Sequence, residues 1–204
     1  MPLIRSTNNL VEFPGEPTAE IDIGSLRDDL SSDDVAVRRA AVRMAGRSGA
    51  MAILAGRLEA EDDRGVRELI LTTLVRNGGV AAARSILDLL RSDDAGLRNA
   101  AIETLQEMGE AITPLIEELL ADPDSDVRIF AMNILISLNS PRVPGIALKV
   151  IANDPHVNVC AAAVDVLAEA GRPEMADALR DVAKRFPDQP FLAYSVRAAL
   201  KRIG

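Results

Sequence analysis

Residues 115–139 read LIEELLADPDSDVRIFAMNILISLN. Leu115 and Leu119 stand one helical turn apart, and Asp122, Pro123, Asp124, Ser125 and Asp126 then break the pattern with turn formers. Val127 and Arg128 open a second run, in which Ala131 and Leu135 again share a face at i, i+4. The stretch therefore reads as helix, acidic turn, helix. It recurs along the chain, and the second helices align on the residue that closes each one: Gly49, Gly78, Gly109, Asn139, Gly171 and Gly204. Their spacings are 29, 31, 30, 32 and 33 residues. Glycine, and next to it asparagine, tolerates the left-handed backbone that ends many helices, so the alignment predicts such a turn at each closer.

The rest of each unit falls into register. Eleven residues before the closers stand Arg38, Arg67, Arg98, Arg128, Cys160 and Ala193. Four residues before the arginines stand Asp34, Asp63, Asp94 and Asp124, with His156 and Gln189 in that slot in the last two units. An aspartate just before a helix can cap its free N–H groups. Stacking brings it within reach of a neighbouring unit's arginine, so the eight residues are expected to form a structural Asp/Arg ladder and not a recurring binding site. A buried stripe follows at Ala41, Ile70, Ala101, Ala131, Ala163 and Val196, then Ala45, Leu74, Leu105, Leu135, Leu167 and Leu200.

First helices are anchored by Leu26 and Leu30, Leu54 and Leu58, Ile86 and Leu90, Leu115 and Leu119, Leu148 and Ile151, and Leu179 and Val182. In the fourth unit Thr113 is placed to cap and Pro114 to take the first helical position. Helices of about 11 to 13 residues are marginal alone. Stacked, they bury one continuous core. Residues 1–22 hold Pro2, Pro14 and Pro17 and show no helical period, so the domain reading is an extended arm over 1–22 and a repeat array over 23–204. The arm would cover the end of the first unit or serve as a segment that another protein grasps.

Composition agrees with helices packed on helices. The chain of 204 residues is 48% hydrophobic but only 2% aromatic, without Trp, which leaves Ala, Leu, Val and Ile to fill a core of many similar interfaces. One cysteine, Cys160, and one histidine, His156, are too few for a disulfide framework or a His- or Cys-rich metal site. No stretch approaches the roughly 18 apolar residues of a membrane helix. The expected compartment is the cytoplasm. The net charge of −8 opposes general nucleic-acid binding. The acidity sits in the middle, where residues 101–170 carry 3 basic and 11 acidic groups.

The units, best written by Ile112 to Leu120 and Asp122 to Arg128 with Ala131 and Leu135 beyond, resemble the short HEAT-like repeats of many bacterial proteins, including those named after phycobilisome lyase subunits. The resemblance covers residues 23–204. It implies an all-α fold, a right-handed superhelix of about six helix pairs, with second helices on the concave side and first helices on the convex side. It also implies what to look for in the way of chemistry. The metal-dependent deoxyhypusine hydroxylases of this architecture use paired His-Glu motifs, and here the one histidine is followed by Val157. The alkylpurine DNA glycosylases use a basic, aromatic concave face, unlike this acidic middle. No residue identifies bilin handling.

Catalytic and metal-binding residues are therefore expected to be none, and no cofactor is expected. His156 with Asp154 lacks a nucleophile beside it, and Cys160, in Val159-Cys160-Ala161-Ala162-Ala163, reads as a small buried residue. What remains are surfaces. Arg39, Arg43 and Arg47 form a row along one face of the first unit's second helix. The matching positions further along are Glu103, Glu107 and Asn133, so the lining passes from positive to negative and neutral. Such a gradient orients a charged partner. Tyr194, Arg197, Lys201 and Arg202 give the last helix a basic outer face. The expected function is a non-catalytic protein–protein interaction scaffold or adaptor, with a bacterial signalling or regulatory complex as one setting. The alternative is an accessory subunit of a bilin-lyase-type enzyme. The expected partner is another protein, with no nucleic acid, membrane or metal.

Overall fold

In the computed structural model, residues 22–77 and 79–204 are described, and among them the chain is helical without strands. The arm proposed for residues 1–22 lies outside these residues except for Asp22, whose side chain accepts a hydrogen bond from the Gly24 N–H at the start of the first helix. Gly78 also lies outside them.

The elements pair as six units. They are α1 (Ile23–Leu30) with α2 (Val35–Ser48), α3 (Met51–Arg57) with α4 (Arg64–Asn77), and α5 (Gly79–Ser85) with α6 (Ala95–Glu107). There follow α7 (Thr113–Leu120) with α8 (Ser125–Leu135), α9 (Val143–Asn153) with α10 (Val157–Ala170), and α11 (Ala176–Arg185) with α12 (Pro190–Ile203). Except for α9, first helices are shorter than the expected 11 to 13 residues. Several continue or begin as 3₁₀ turns, such as Leu58–Ala60, Leu87–Arg91 and Gly109–Ile112, so Ile86 and Leu90 anchor their unit from a 3₁₀ segment and its edge.

The layer of second helices is continuous: α2 packs on α4, α4 on α6, α6 on α8, α8 on α10 and α10 on α12. Its centre is the predicted stripe, with Ala41, Ile70, Ala101, Ala131, Ala163 and Val196 all buried. Alanine at this position lets helices approach closely. At Gly46 a Cβ would stand 2.7 Å from the Thr73 Cγ2, so α2 and α4 meet there without room for a side chain. Leu200, at the end of the stripe, is only half-buried, and in α9 Leu148 is half-buried while Ala147 and Ile151 are buried. One hydrophobic cluster runs from Leu26 to Ile203, and its buried members are aliphatic residues, methionines and Cys160.

The closers behave less uniformly than the register. Gly49 and Gly109 take the left-handed conformation, with φ of 77° and 56°. Gly171 is extended at φ −73° and ψ 171°. Asn139 does not have positive φ, since among described residues only glycines do. There the helix tightens instead, with Ser137 N–H donating to Ile134 O and Leu138 N–H to Leu135 O, both at 3.1 Å. A 3₁₀-type ending satisfies carbonyls without a left-handed residue. Thr113 does not cap α7: the preceding 3₁₀ turn runs straight into the helix, and its hydroxyl donates to Glu110 Oε2 at 3.0 Å.

The ladder needs correcting in its partners. Asp34, Asp94 and Asp124 cap their own helices, accepting from Ala36, Gly96 and Asp126 N–H at 2.7, 2.8 and 2.9 Å. Asp63 accepts from Val66 N–H at 2.9 Å. None of the four pairs with the repeated arginines. Arg38, Arg67, Arg98 and Arg128 instead reach back six residues and donate to the carbonyls of Ser32, Glu61, Ser92 and Asp122, at 2.6 to 2.9 Å. Where a repeated arginine forms an ion pair with the next unit, its acid stands two residues before the capping slot. Arg38 holds Glu61 with two bonds of 2.9 and 3.0 Å, and Arg128 holds Asp154 with two of 2.8 and 3.2 Å. Between the third and fourth units Arg91, not Arg98, pairs with Asp122 and lies 3.9 Å from Asp124. The physical reason is reach: a capping carboxylate points down its own helix, while the residue at the turn's start faces the preceding unit.

Burial alone would push the Glu61 carboxyl up. The hydrogen bond from Arg38, the Asp63 N–H and the charges of Arg38 and Arg57 outweigh burial and hold it below the ordinary carboxylate range. A depressed folded value means the pair's contribution is complete above the unfolded value of about 4.3 and is lost as pH falls through the folded one. Glu61→Gln should therefore lower the urea midpoint at pH 7, and the gap from wild type should narrow by pH 3. A gap that stays constant with pH would show that the charge is not what Glu61 contributes. Leu135, 1% exposed, should cost about 2 to 5 kcal/mol when cut to alanine, measured by urea unfolding.

Candidate functional site: the face of the second helices

The outward sides of the second helices form one continuous face, and the predicted binding residues stand on it. Arg39, Arg43 and Arg47 follow one another at i, i+4, i+8 along α2 and are all exposed. Arg39 leans over the start of α4, where a Cβ on Gly65 would stand 2.2 Å from its Nη2, so the glycine makes space for the guanidinium. On α6, Glu103 and Glu107 are exposed and open into a groove of about 250 Å³ shared with α4, together with Glu68, Leu71 and Val75. Glu103 also borders a groove of about 410 Å³ between α6 and α8, with Ile102, Asn133 and Ile136. The structure thus brings Glu103, Glu107 and Asn133 together across two adjoining grooves. The arginine row stands two helices away, on α2.

Sequence reasoning missed the apolar and acidic residues that complete this face. Met44 and Ile136 are each 39% exposed, and Glu68 adds a third carboxylate. The signal was available for Glu68, which occupies in α4 the slot of Arg39 in α2. It was weaker for Met44 and Ile136, because an apolar residue in a helix reads first as core.

A second concavity lies in the layer of first helices. α7 and α9 stand apart although α8 and α10 pack closely, which opens a cleft of about 750 Å³ walled by Glu117, Leu120, Ile146 and Lys149 and reaching Arg128 and Asp154. The longer connection from α8 to α9, containing Pro141, is a sequence sign of it.

Of the residues weighed for chemistry, Asp154 and Cys160 are committed elsewhere. The Asp154 carboxylate is taken by Arg128 and by the His156 N–H at 2.8 Å, not by the imidazole. Cys160 is buried, and burial pushes its thiol up. It stands in the slot of the repeated arginines, and its Sγ lies 3.4 Å from the Asp154 carbonyl, the sixth residue back. Arg185 from α11 fills in for the missing guanidinium, donating to the Asp154 carbonyl at 2.6 Å and to that of Ile151. On α12, Arg202 is exposed but not free. It pairs with Glu169 of α10 at 2.7 Å, leaving Tyr194, 68% exposed, with Arg197 stacked 5.9 Å from its ring. Among the described residues no group of three or more His, Cys, Asp or Glu could hold a metal ion. None of the described helices is long and apolar enough to cross a membrane.

Comparison with known proteins matches the repeat. A family profile of HEAT repeats covers residues 23–111 and 112–201, and the chain belongs to the HEAT-repeat family. Comparison with curated proteins finds no match. Among solved structures, the complex of CpcE and CpcF of phycocyanin lyase from Nostoc sp. aligns over 100% of both chains at 20% identity, with a TM-score of 0.33.

Native Cys160 should resist a thiol reagent such as an aromatic disulfide and react at once in urea. Rapid labelling of the folded chain would show that the α9–α10 corner opens.

Proposed function

We propose that this chain is a non-catalytic scaffold or adaptor that holds another protein along the face of its second helices. The observation that carries the reading is the run of unpaired charge along this face from α2 to α6. Across the outer turns and first helices, Glu118 pairs with Arg84 and Asp122 with Arg91. On the second-helix face Arg39, Arg43, Arg47, Glu68, Glu103 and Glu107 make no ion pair with any described residue. A fold stabilised by stacking has no need of these charges, and unpaired charges ordered along one face orient a partner at encounter. The burial of Cys160 and the ion pair that holds Asp154 support the non-enzymatic side of the reading. A bacterial signalling or regulatory complex is the setting we favour. The alternative, an accessory subunit of a bilin-lyase-type enzyme, rests on the shared repeat alone.

Reversing Arg39, Arg43 and Arg47 to Glu should leave stability nearly unchanged, since exposed substitutions typically stay within about ±0.5 kcal/mol each. It should abolish capture of the protein recovered from lysate by wild type at low salt. Unfolding of the triple variant, or unchanged capture, would remove the row from the binding face.

A further inference from the structure

We propose that the occupant of this face is an amphipathic helix of the partner, with an acidic end and a basic end about 12 residues apart, lying across α2, α4, α6 and α8. The inference rests on the scaffold reading and adds the partner's shape and polarity to it.

The repeat register fixes the height of each charge along its helix. Arg43, Thr72, Glu103 and Asn133 occupy one slot of successive second helices, and Arg47, Arg76 and Glu107 another. A rod laid across the helices at these heights meets cations on α2 and, on α4, Arg76. It then meets Glu103 and Glu107 on α6. Neither pole neutralises the other, since Arg76 and Glu107 form no ion pair although α4 packs on α6. From α2 to α6 is two helix-to-helix steps, about 16 to 20 Å. At 1.5 Å per residue that is about 11 to 13 residues of a partner helix. An acidic end therefore belongs over Arg39, Arg43 and Arg47, and a basic end over Glu103 and Glu107.

The apolar residues argue for a helix over an extended strand. Met44 on α2, Val75 on α4, and Ile102 and Ile136 on α6 and α8 offer an apolar foothold in each step. An apolar residue repeated every seven positions advances about 10.5 Å along a helix, close to the 8 to 10 Å between packed helices, so one such residue falls at each groove. The grooves, at about 250 and 410 Å³, suit single aliphatic side chains. Glu103 and Glu107 in the track disfavour a polyphosphate backbone as the occupant.

The test is a charge-swap cycle on the full chain in 50 mM salt, read by fluorescence anisotropy. The bipolar probe is a synthetic 24-residue helical peptide with a leucine stripe, three Glu at one end and three Lys at the other. Two homopolar probes carry only Glu or only Lys. Wild type should bind the bipolar peptide about tenfold tighter than either homopolar one. Arg39→Glu with Arg43→Glu and Arg47→Glu should lose about tenfold, as should Glu103→Lys with Glu107→Lys. The five changes together should restore affinity to within about threefold, because the peptide can turn end for end. Neutral Gln at the same five positions, checked for helicity and melting, should erase the preference for the bipolar peptide and serves if the combined reversal fails to fold. The inference is overturned if the bipolar peptide binds no tighter than the homopolar ones, or if the folded five-fold reversal stays as weak as the single-pole variants. Capture from lysate that still depends on the arginine row would then leave the scaffold reading standing with a partner of another shape.

Discussion

A guanidinium reaching back six residues to a backbone carbonyl ties the turn of each of the first four units. Arg38, Arg67, Arg98 and Arg128 each sit one turn into a second helix and donate to the residue that begins the preceding turn. That carbonyl would otherwise be orphaned where the first helix ends. The same side chain is then positioned to take a carboxylate from the next unit, as Arg38 takes Glu61 and Arg128 takes Asp154. In the first and fourth units one residue thus closes its own unit and fastens the one that follows. The fifth unit shows how strongly the position is constrained. Cys160 cannot span the turn, and Arg185 comes from another helix to serve the same carbonyl.

The clamp acts at the turns, so it leaves the two layers of helices free to behave differently. Second helices pack without interruption, and their alanine stripe keeps them close. First helices are mostly short, lean on 3₁₀ turns, and part between α7 and α9, where the connection between units is longest. In a stack where each unit touches mainly its neighbours, such a gap is tolerated because stability is a sum of local interfaces. The cost of irregularity therefore falls on one layer, while the other keeps the regular spacing that an extended partner requires.

The charges at the turns and those along α2 to α6 differ in the same way. Carboxylates at the turns are held by arginines, and Glu61 and Asp122 sit below their ordinary range despite burial that opposes it. On the second-helix face Arg39, Arg43, Arg47, Glu103 and Glu107 have no described ion-pair partner, and the charge passes from positive on α2 to negative on α6. An aliphatic core satisfied by stacking makes no demand on them. Their pattern is thus available for recognition, where order along a line matters more than strength at any point.

The sequence by itself determined the helix pairs, their register and the buried stripe, because glycine punctuation and i, i+4 spacing are local properties that survive any tertiary context. It also determined that Asp34, Asp94 and Asp124 begin helices, since a cap is satisfied within a few residues. The arginine row was legible for the same reason: three residues four apart share a face in any helix. Only the tertiary structure decided which acid each arginine holds, because Glu61 and Asp154 are 23 and 26 residues away from their partners and no local rule selects them over Asp63 or Asp124. It alone showed that Arg185 replaces a missing guanidinium, that Asn139 needs no left-handed turn, and that Met44 and Ile136 lie at the surface. Each of these depends on what a neighbouring unit places opposite, and that is fixed by stacking rather than by sequence spacing.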